Sequence, residues 1–294
     1  MWGWSRLAAA SPSASPSDVP LPAPTVAGTI AFAMVVDEGG YDADICIVRS
    51  DGTRLTTVVG GADWQQHPSW SPDGKRIVYD AGSSETLDND IWVVRADGSG
   101  EAKLTGGYHP HWSPDGKRIV FNRYFNDDRG EDVFVMNADG SGVKRVIDMT
   151  PGDTDPSWTP EGRILFTGSG GDVYVVDLDG RGRERLTSDV DVQDSAASPN
   201  GKMLAYHDLN EDRVAVVPLR GAGTPVVLLD PVSEYVDNLE ATVEWTPEGK
   251  ALVIASNDGG GPGGSIVYIV NADGTGLSAV PGIETALDPE WRPE

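Results

Sequence analysis

One fourteen-residue phrase occurs twice in this chain: HPSWSPDGKRIVYD begins at His67, and HPHWSPDGKRIVFN begins at His109. Weaker copies follow, so that a tryptophan or its substitute recurs at six positions: Trp70, Trp112, Trp158, Ala197, Trp245 and Trp291. The separations are 42, 46, 39, 48 and 46 residues (112−70, 158−112, 197−158, 245−197 and 291−245). This period is typical of a four-stranded propeller blade, whereas the shortest common helical repeats recur after about 34 residues.

A second repeated phrase lies between the tryptophan phrases and supplies the other strands of each unit. Copies such as DIWVVRADGSG from Asp90 and DVFVMNADGSG from Asp132 combine an apolar β pattern with a glycine-rich turn. The SPDGK segment of the first phrase offers Pro, Asp and Gly in the order that a tight reversal requires. Each unit therefore contains four short strands, A to D, joined by antiparallel reversals, and we predict an all-β chain.

The two ends of the repeat region complement each other. Residues from Gly28 supply strands B, C and D without an A strand, and the last phrase, around Trp291, supplies an A strand alone. We predict that the strand of Trp291 pairs with the strand of Ile30, which closes the ring and leaves no exposed inner edge. The predicted fold is a six-bladed β-propeller of four-stranded antiparallel blades over residues 28–294. Residues 1–27, rich in Pro, Ser and Ala, are predicted to form a disordered tether.

The tryptophans are predicted to be wedges between neighbouring blades, where a large ring buries about 150–250 Å². The wedge residues are Trp70, Trp112, Trp158, Trp245 and Trp291. Ala197 marks a unit that lacks the wedge, and we expect looser packing there or compensation by Tyr206 or Met203. Four aspartates precede strand C at equivalent positions, and we predict for them a structural role, such as a bond to a neighbouring blade: Asp44, Asp90, Asp132 and Asp172.

The start of each A strand places one residue per blade nearest the central axis, on the face that carries the D-to-A and B-to-C loops, here called the top face. These tunnel-mouth residues are His67, His109, Asp155, Asp194, Thr242 and Asp288. All except Thr242 are candidate metal ligands: mixed His and carboxylate ligands favour Zn or Mn, and carboxylates with water favour Ca or Mg. The alternative is that the six residues cap local turns or line a wet channel.

The repeated phrases resemble the WD40-like repeat of TolB-type propellers: x-P-x-W-[ST]-P-[DE]-G-K-x-I-x-[YF], then [DN]-[IV]-x-V-x-x-A-D-G-[ST]-G. The resemblance covers residues 28–294 and is to the propeller alone, without the α/β domain of TolB itself. It implies a binding function, because the central funnel of such propellers receives a partner's peptide. Propellers with similar repeats also include polysaccharide lyases that hold a channel metal through several histidines and a glutamine. This chain offers only His67 and His109 at the mouth, with Gln66 and Gln193 beside it, so it departs from the lyase pattern.

The charge and composition exclude several classes of partner. A net charge of −24 repels phosphate backbones, which excludes nucleic acid, and anionic membrane surfaces are equally poor partners. No segment approaches the roughly 20 apolar residues that span a bilayer, so we expect no direct membrane insertion. Cys46 is the single cysteine, which excludes a disulfide framework. There is neither a G-x-S-x-G nucleophile elbow nor a phosphate-binding glycine loop.

These observations predict a monomeric, extracytoplasmic, non-enzymatic binding module. Its top face and tunnel mouth are expected to bind a protein, a peptide or a small ligand, with or without calcium or a transition metal in the channel. The first alternative is a metal-dependent oligouronate lyase. The second is a spacer or sensor domain of a membrane-anchored protein whose export signal or anchor is missing here.

Overall fold

The computed structural model describes residues 24–36, 42–61, 63–82, 89–125, 130–146, 154–220, 223–229, 241–256, 265–283 and 285–293. Within these ranges the regular structure consists of 24 β-strands, numbered here along the chain. The chain is therefore all-β, with four-stranded antiparallel blades. Residues 1–23 of the predicted tether lie outside the described residues.

Each of the four strands of a repeat unit recurs six times in the described residues. The A strands are β4 (Trp64–Trp70), β8 (Tyr108–Trp112), β12 (Thr154–Trp158), β16 (Val192–Ala197), β20 (Ala241–Trp245) and β24 (Ala286–Trp291). The B strands are β1 (Thr29–Val35), β5 (Arg76–Gly82), β9 (Arg118–Phe125), β13 (Ile164–Thr167), β17 (Met203–Asp208) and β21 (Ala251–Ser256). The C strands are β2 (Ala43–Arg49), β6 (Asp90–Arg95), β10 (Gly130–Asn137), β14 (Val173–Val176), β18 (Arg213–Pro218) and β22 (Ile266–Asn271). The D strands are β3 (Thr56–Val59), β7 (Ala102–Gly106), β11 (Lys144–Arg145), β15 (Glu184–Arg185), β19 (Val226–Leu229) and β23 (Ser278–Ala279).

Four units form separate four-stranded sheets, β8–β11, β12–β15, β16–β19 and β20–β23. The remaining eight strands form one sheet, in which β24-β1-β2-β3 and β4-β5-β6-β7 are joined by a single parallel bridge between Ala43 and Trp64. The first and last strands pair antiparallel, with Ile30 opposite Trp291. Gly28 lies so close to the Trp291 indole that an added Cβ would stand 2.1 Å from the ring, so only glycine fits there.

The core lies between neighbouring units. In the described residues the buried apolar side chains form six clusters, and each cluster takes its members from two neighbouring units. Five of these clusters contain one repeat tryptophan each, and all five tryptophans are at most 8% exposed. The sixth cluster lies beside Ala197 and contains Tyr206, which is 2% exposed. Trp158 and Trp245 also donate an indole N–H across the boundary, to the carbonyl oxygens of His111 and Ala196, each at 3.0 Å.

Three of the four aspartates predicted to precede strand C make ion pairs within their own sheet. Each carboxylate meets a basic side chain on the adjacent D strand: Asp90 with Lys103 at 2.6 Å, Asp132 with Arg145 at 2.6 Å and Asp172 with Arg185 at 2.5 Å. Asp44 accepts a hydrogen bond from the backbone of Gly61. Each of these contacts connects the start of strand C with the adjacent D strand or, for Asp44, with the loop after the D strand.

Candidate functional site

A cavity of about 370 Å³ lies where the A strands meet. The six A strands contact one another in succession, and β24 in turn contacts β4. All six tunnel-mouth residues line the cavity: His67, His109, Asp155, Asp194, Thr242 and Asp288. The six residues occupy equivalent positions in the repeat, and each lies in the cavity because every repeat places the start of its A strand there.

Four tunnel-mouth residues have a left-handed backbone, and each of them immediately precedes a proline. They are His67, His109, Asp155 and Asp288, with φ values of 49°, 51°, 51° and 50°. Non-glycine residues adopt this conformation at a cost of about 1–3 kcal/mol each, and such strain clusters at functional sites. At each of the four, the register between the A strand and its B-strand partner shifts, as in a β-bulge. A bulge re-aims a side chain. Here the side chains that it re-aims are those that line the cavity.

The other two tunnel-mouth residues reach the cavity without a left-handed backbone. Strand β16 has a register shift between Val192 and Ser195, which brackets Asp194. Strand β20 pairs with β21 in continuous register through Thr242. Neither residue precedes a proline. The left-handed conformation therefore accompanies the residue–proline pair and is not required for lining the cavity.

Asp80 organises the histidine side of the cavity, although no sequence argument had selected it. Its carboxylate is fully buried; Oδ1 lies 2.8 Å from Nδ1 of His67 and accepts the backbone N–H of His109 at 3.0 Å. Its Oδ2 accepts a hydrogen bond from Nδ2 of Asn89 at 2.7 Å. Burial alone would raise the pKa of Asp80, but the two histidines lower it below its ordinary value. Asp80 is therefore a buried anion that holds the imidazole of His67.

The two tunnel-mouth histidines are each engaged with carboxylates. Nε2 of His67 lies 3.6 Å from Oδ2 of Asp288, and Nδ1 of His109 lies 2.7 Å from Oδ1 of Asp155. The two imidazole rings are 3.7 Å apart, centroid to centroid. Burial opposes protonation of His67, but Asp288 and Asp80 outweigh it and raise its pKa to about 9. His67 is therefore a cation at neutral pH, held between two anions.

His111, two residues beyond His109, behaves oppositely. Burial, reinforced by the nearby His109 and His67, lowers the pKa of His111 to about 4. The side chain is therefore a neutral imidazole at pH 7.

Three further carboxyl groups line the cavity from three successive A strands, β16, β20 and β24. Asp194 accepts the backbone N–H of Val243 at 2.7 Å, and Glu244 accepts that of Trp245 at 2.8 Å. Glu290 accepts the hydroxyl of Ser69 at 3.2 Å and the backbone N–H of Trp70. We call these three residues the acidic wall: Asp194, Glu244 and Glu290.

Crowding and burial shift the titration of the acidic wall. Burial, with Asp155 and Asp288 nearby, raises the pKa of Asp194 to about 7. Burial, with Asp194 nearby, raises the pKa of Glu244 to about 8. Burial and the neighbouring Glu244 raise the pKa of Glu290 well above its ordinary value. Each carboxyl group therefore makes ionisation of the next one harder.

Four residues line both this cavity and a second one of about 180 Å³: His111, Ser157, Glu244 and Glu290. The second cavity reaches the tryptophans Trp70, Trp112 and Trp158 at the far ends of their A strands. The two cavities are thus adjacent and share these four polar residues.

Glu244→Gln should flatten the pH dependence of stability. Since the pKa of Glu244 is raised from 4.5 to about 8, the folded state retains a proton that the unfolded state releases. The associated stability is fully present below about pH 4.5 and is lost as the pH rises through about 8. At pH 9 the variant should be more stable than the parent by about 1–3 kcal/mol, and at pH 5 the two should be similar.

Chemical denaturation at several pH values measures this difference. Glu161→Gln, at an exposed position in the turn before β13, is the matched control and should follow the parent curve. Parallel curves for Glu244→Gln and the parent would show that Glu244 ionises normally in the fold.

The five residues predicted as metal ligands line the cavity but do not form a ligand set. Within the described ranges, no group of three or more His, Cys, Asp or Glu side chains is arranged to hold a metal ion. Instead, the Nδ1 atoms of His67 and His109 each meet a carboxylate oxygen, at 2.8 and 2.7 Å. The arrangement observed is one of histidine–aspartate pairs.

A sequence profile described as the TolB beta propeller domain matches residues 27–294. A search of curated proteins finds no significant match. Among the residues that the structure describes, none forms a helix that is long and apolar enough to cross a membrane.

Solved structures show the same fold at low sequence identity. TolB from Acinetobacter baumannii superposes with a TM-score of 0.75 at 23% identity, over 91% of this chain and 67% of that one. A protein assigned as TolB from Agrobacterium tumefaciens superposes with a TM-score of 0.66 at 16% identity, over 90% and 99%. An oligogalacturonate lyase in complex with manganese superposes with a TM-score of 0.55 at 15% identity, over 77% and 70%.

Proposed function

The chain belongs to the TolB β-propeller family, and on that premise we propose that it is a binding module that receives a protein, peptide or small ligand in its central cavity. The observation that carries this proposal is the cavity itself, in which polar side chains from all six A strands converge. Cavities of about 300–1,000 Å³ with a few convergent polar groups are the usual form of a ligand site.

The architecture that supports this function is a closed ring of six blades. The succession of contacts among the A strands, the pairing of β24 with β1 and the six clusters between units all support it. We further propose that the module acts as a monomer outside the cytoplasm, as the Pro-, Ser- and Ala-rich composition of residues 1–27 first suggested.

The strained backbone supports a binding role. A left-handed residue costs about 1–3 kcal/mol, and a purely structural channel lining has no need of it at four positions. Apolar side chains also line the cavity, among them Trp64, Val243 and Leu287. A ligand with both polar and apolar groups matches this lining.

Photo-cross-linking tests the proposal. With p-benzoylphenylalanine at Trp64, which lines the cavity, we expect ligand adducts, seen as mass shifts after irradiation in an extracytoplasmic extract of the source organism. The matched control places the same residue at Trp92, a half-buried tryptophan of β6 outside the cavity lining. Equal labelling at both positions, or none at Trp64, would contradict the proposal and favour a spacer role.

The structural similarity to a lyase in complex with manganese makes an enzyme the second candidate. The positions of His67 and His109, each paired with a carboxylate, favour binding over this alternative. Incubation with oligogalacturonate and manganese, followed by absorbance of the unsaturated product, distinguishes the two. If the protein forms this product and the His67→Ala variant does not, the enzymatic function would replace the binding function as the first candidate.

A further inference from the structure

The acidic wall differs from the other carboxylates of the cavity in its partners. Asp80, Asp155 and Asp288 each face a histidine. Asp194, Glu244 and Glu290 have only backbone N–H and serine hydroxyl donors as hydrogen-bond partners. Within the described part of the chain, none of the three forms an ion pair with a cationic side chain.

The three carboxyl groups share one side of the cavity because their strands are neighbours. Strand β16 contacts β20, and β20 contacts β24. The other ionisable side chains in the lining are His67, His109 and His111 from β4 and β8, with Asp155 of β12 and Asp288 of β24. The histidines thus come from two successive A strands, and the three carboxyl groups without a histidine partner come from three other successive A strands.

A buried hydroxyl group on the same wall also lacks a partner. Ser195 is 3% exposed and lines the cavity, and its Oγ has no hydrogen-bond partner among the described residues. The Oγ1 atom of Thr242, also in the lining, is likewise buried and unpartnered there. Buried polar atoms in native proteins are nearly always bonded, so an unbonded hydroxyl in a cavity indicates a ligand or ordered water.

The chemistry of this wall selects the ligand. Three carboxyl groups and two hydroxyl groups accept hydrogen bonds from several directions, and an alkylammonium group offers three N–H donors with a full positive charge. Trp64, Val243 and Leu287 provide an apolar surface for the attached alkyl chain, and an aromatic face also attracts a cation. A guanidinium group is planar, so its N–H donors reach only acceptors near its own plane, whereas the three N–H donors of an ammonium group diverge.

We propose that the acidic wall binds the primary ammonium group of an alkylamine, with Asp194 and Glu244 as the principal acceptors and Ser195 as a hydroxyl acceptor. This inference rests on the proposed binding function and names the class of ligand. The amine is carried either by a lysine side chain of a peptide or by a free diamine, and both present the same group to the wall.

Calorimetric titration at pH 8.5 tests the assignment, since this pH lies above the pKa of Asp194, about 7, and that of Glu244, about 8. The probes are 1,5-diaminopentane, Nα-acetyl-lysine methylamide, and 1-pentanol as the uncharged control. We expect both amines to bind and pentanol not to bind. Tighter binding of the lysine derivative assigns a peptide ligand, and tighter binding of the diamine assigns a small molecule.

Substitutions then locate the site. Asp194→Asn and Glu244→Gln should each weaken amine binding by about tenfold, because a charge-assisted hydrogen bond becomes a neutral one. Ser195→Ala should weaken it by about two- to fivefold, and this small change keeps the test available if a wall variant folds poorly. Asp97→Asn, in the exposed turn before β7, should bind as the parent does.

Several outcomes would overturn the inference. They are no binding of either amine by folded protein, binding that is unchanged in all three cavity variants, tighter binding of methylguanidine, or binding of calcium or manganese without the amines. If cross-linking from Trp64 succeeds while the amines do not bind, the ammonium site is lost and the binding function stands. If cross-linking also fails, both are lost.

Discussion

Asp80→Ala should lower the free energy of unfolding by about 3–5 kcal/mol, since breaking a buried charge pair is strongly destabilising and leaves His67 with Asp288 alone, at 3.6 Å. Asp80 is fully buried, and its carboxylate is the acceptor for His67, for the backbone N–H of His109 and for Asn89. The truncation removes the acceptor of these groups and of the Gln66 amide, which lies 3.5 Å from Oδ2 of Asp80, and it opens a small void. Urea denaturation, monitored by tryptophan fluorescence, measures the loss.

The matched control is Asp177→Ala, since this aspartate also pairs with a cation, Arg163, at 2.7 Å, but is 52% exposed. An exposed pair contributes about 0–1 kcal/mol, so this variant should unfold close to the parent. A loss of 1 kcal/mol or less for Asp80→Ala would contradict the organising role of Asp80.

Asp80→Asn allows a second measurement, the pKa of His67, which a purely structural role of Asp80 would leave unchanged. The amide preserves the volume and one acceptor atom but removes the negative charge beside His67. Because Asp288 and Asp80 together raise the pKa of His67 to about 9, the variant should titrate at a lower pH by nuclear magnetic resonance. An unchanged titration of His67 would show that its protonation does not depend on Asp80.

The sequence was sufficient to place the tunnel-mouth residues because position in a repeat corresponds to position in the fold. His67 and Asp288 are 221 residues apart in sequence, yet their side chains are neighbours. Where Ala197 replaces the tryptophan, the same reasoning predicted looser packing or compensation by Tyr206 or Met203, and Tyr206 lies in the cluster beside Ala197. Such inferences work where every repeat must satisfy the same packing geometry.

Asp80 could not be selected in the same way, because its repeat position has no constant chemistry. The strand registers place Asn122, Thr167, His207 and Ala255 at the equivalent point of the B strand. A sequence signal was present nonetheless: a polar residue follows the three-residue apolar run of the B strand in HPSWSPDGKRIVYD and in HPHWSPDGKRIVFN. The burial of that residue becomes evident only once the neighbouring A strand is placed against it.

The left-handed backbone of the four tunnel-mouth residues that precede a proline could not be predicted from the sequence either. A residue before proline normally adopts an extended conformation. His67 and Asp155 depart from that rule where the A strand bulges toward the cavity. The ion pairs between an aspartate and a basic residue, such as Asp132 with Arg145, depend on the register of the D strand. A D strand of two residues is too short for its register to be predicted from the sequence.

A disulfide between the first and last strands should stabilise the chain by about 5 kcal/mol, since it restricts the unfolded chain through a very long loop. Met34 lies opposite Ala286 in the β1–β24 pairing. The backbone bond from Val35 to Thr285 marks Met34–Ala286 as a non-hydrogen-bonded pair, the kind whose Cα atoms are about 4.5 Å apart. The Met34→Cys and Ala286→Cys double variant would close a loop of 252 residues (286−34). Cys46 should stay out of the reaction, because it is buried and burial raises the pKa of its thiol.

The rate of disulfide formation in this double variant tests most directly whether the chain closes into a ring. We expect rapid and complete oxidation, with a higher melting temperature. In the control double variant, Met34→Cys with Leu287→Cys, we expect little reaction, because the second thiol lies on the opposite face of β24. Slow oxidation in both variants, or equal rates in both, would contradict the closure of the ring and with it the convergence of the A strands on one cavity.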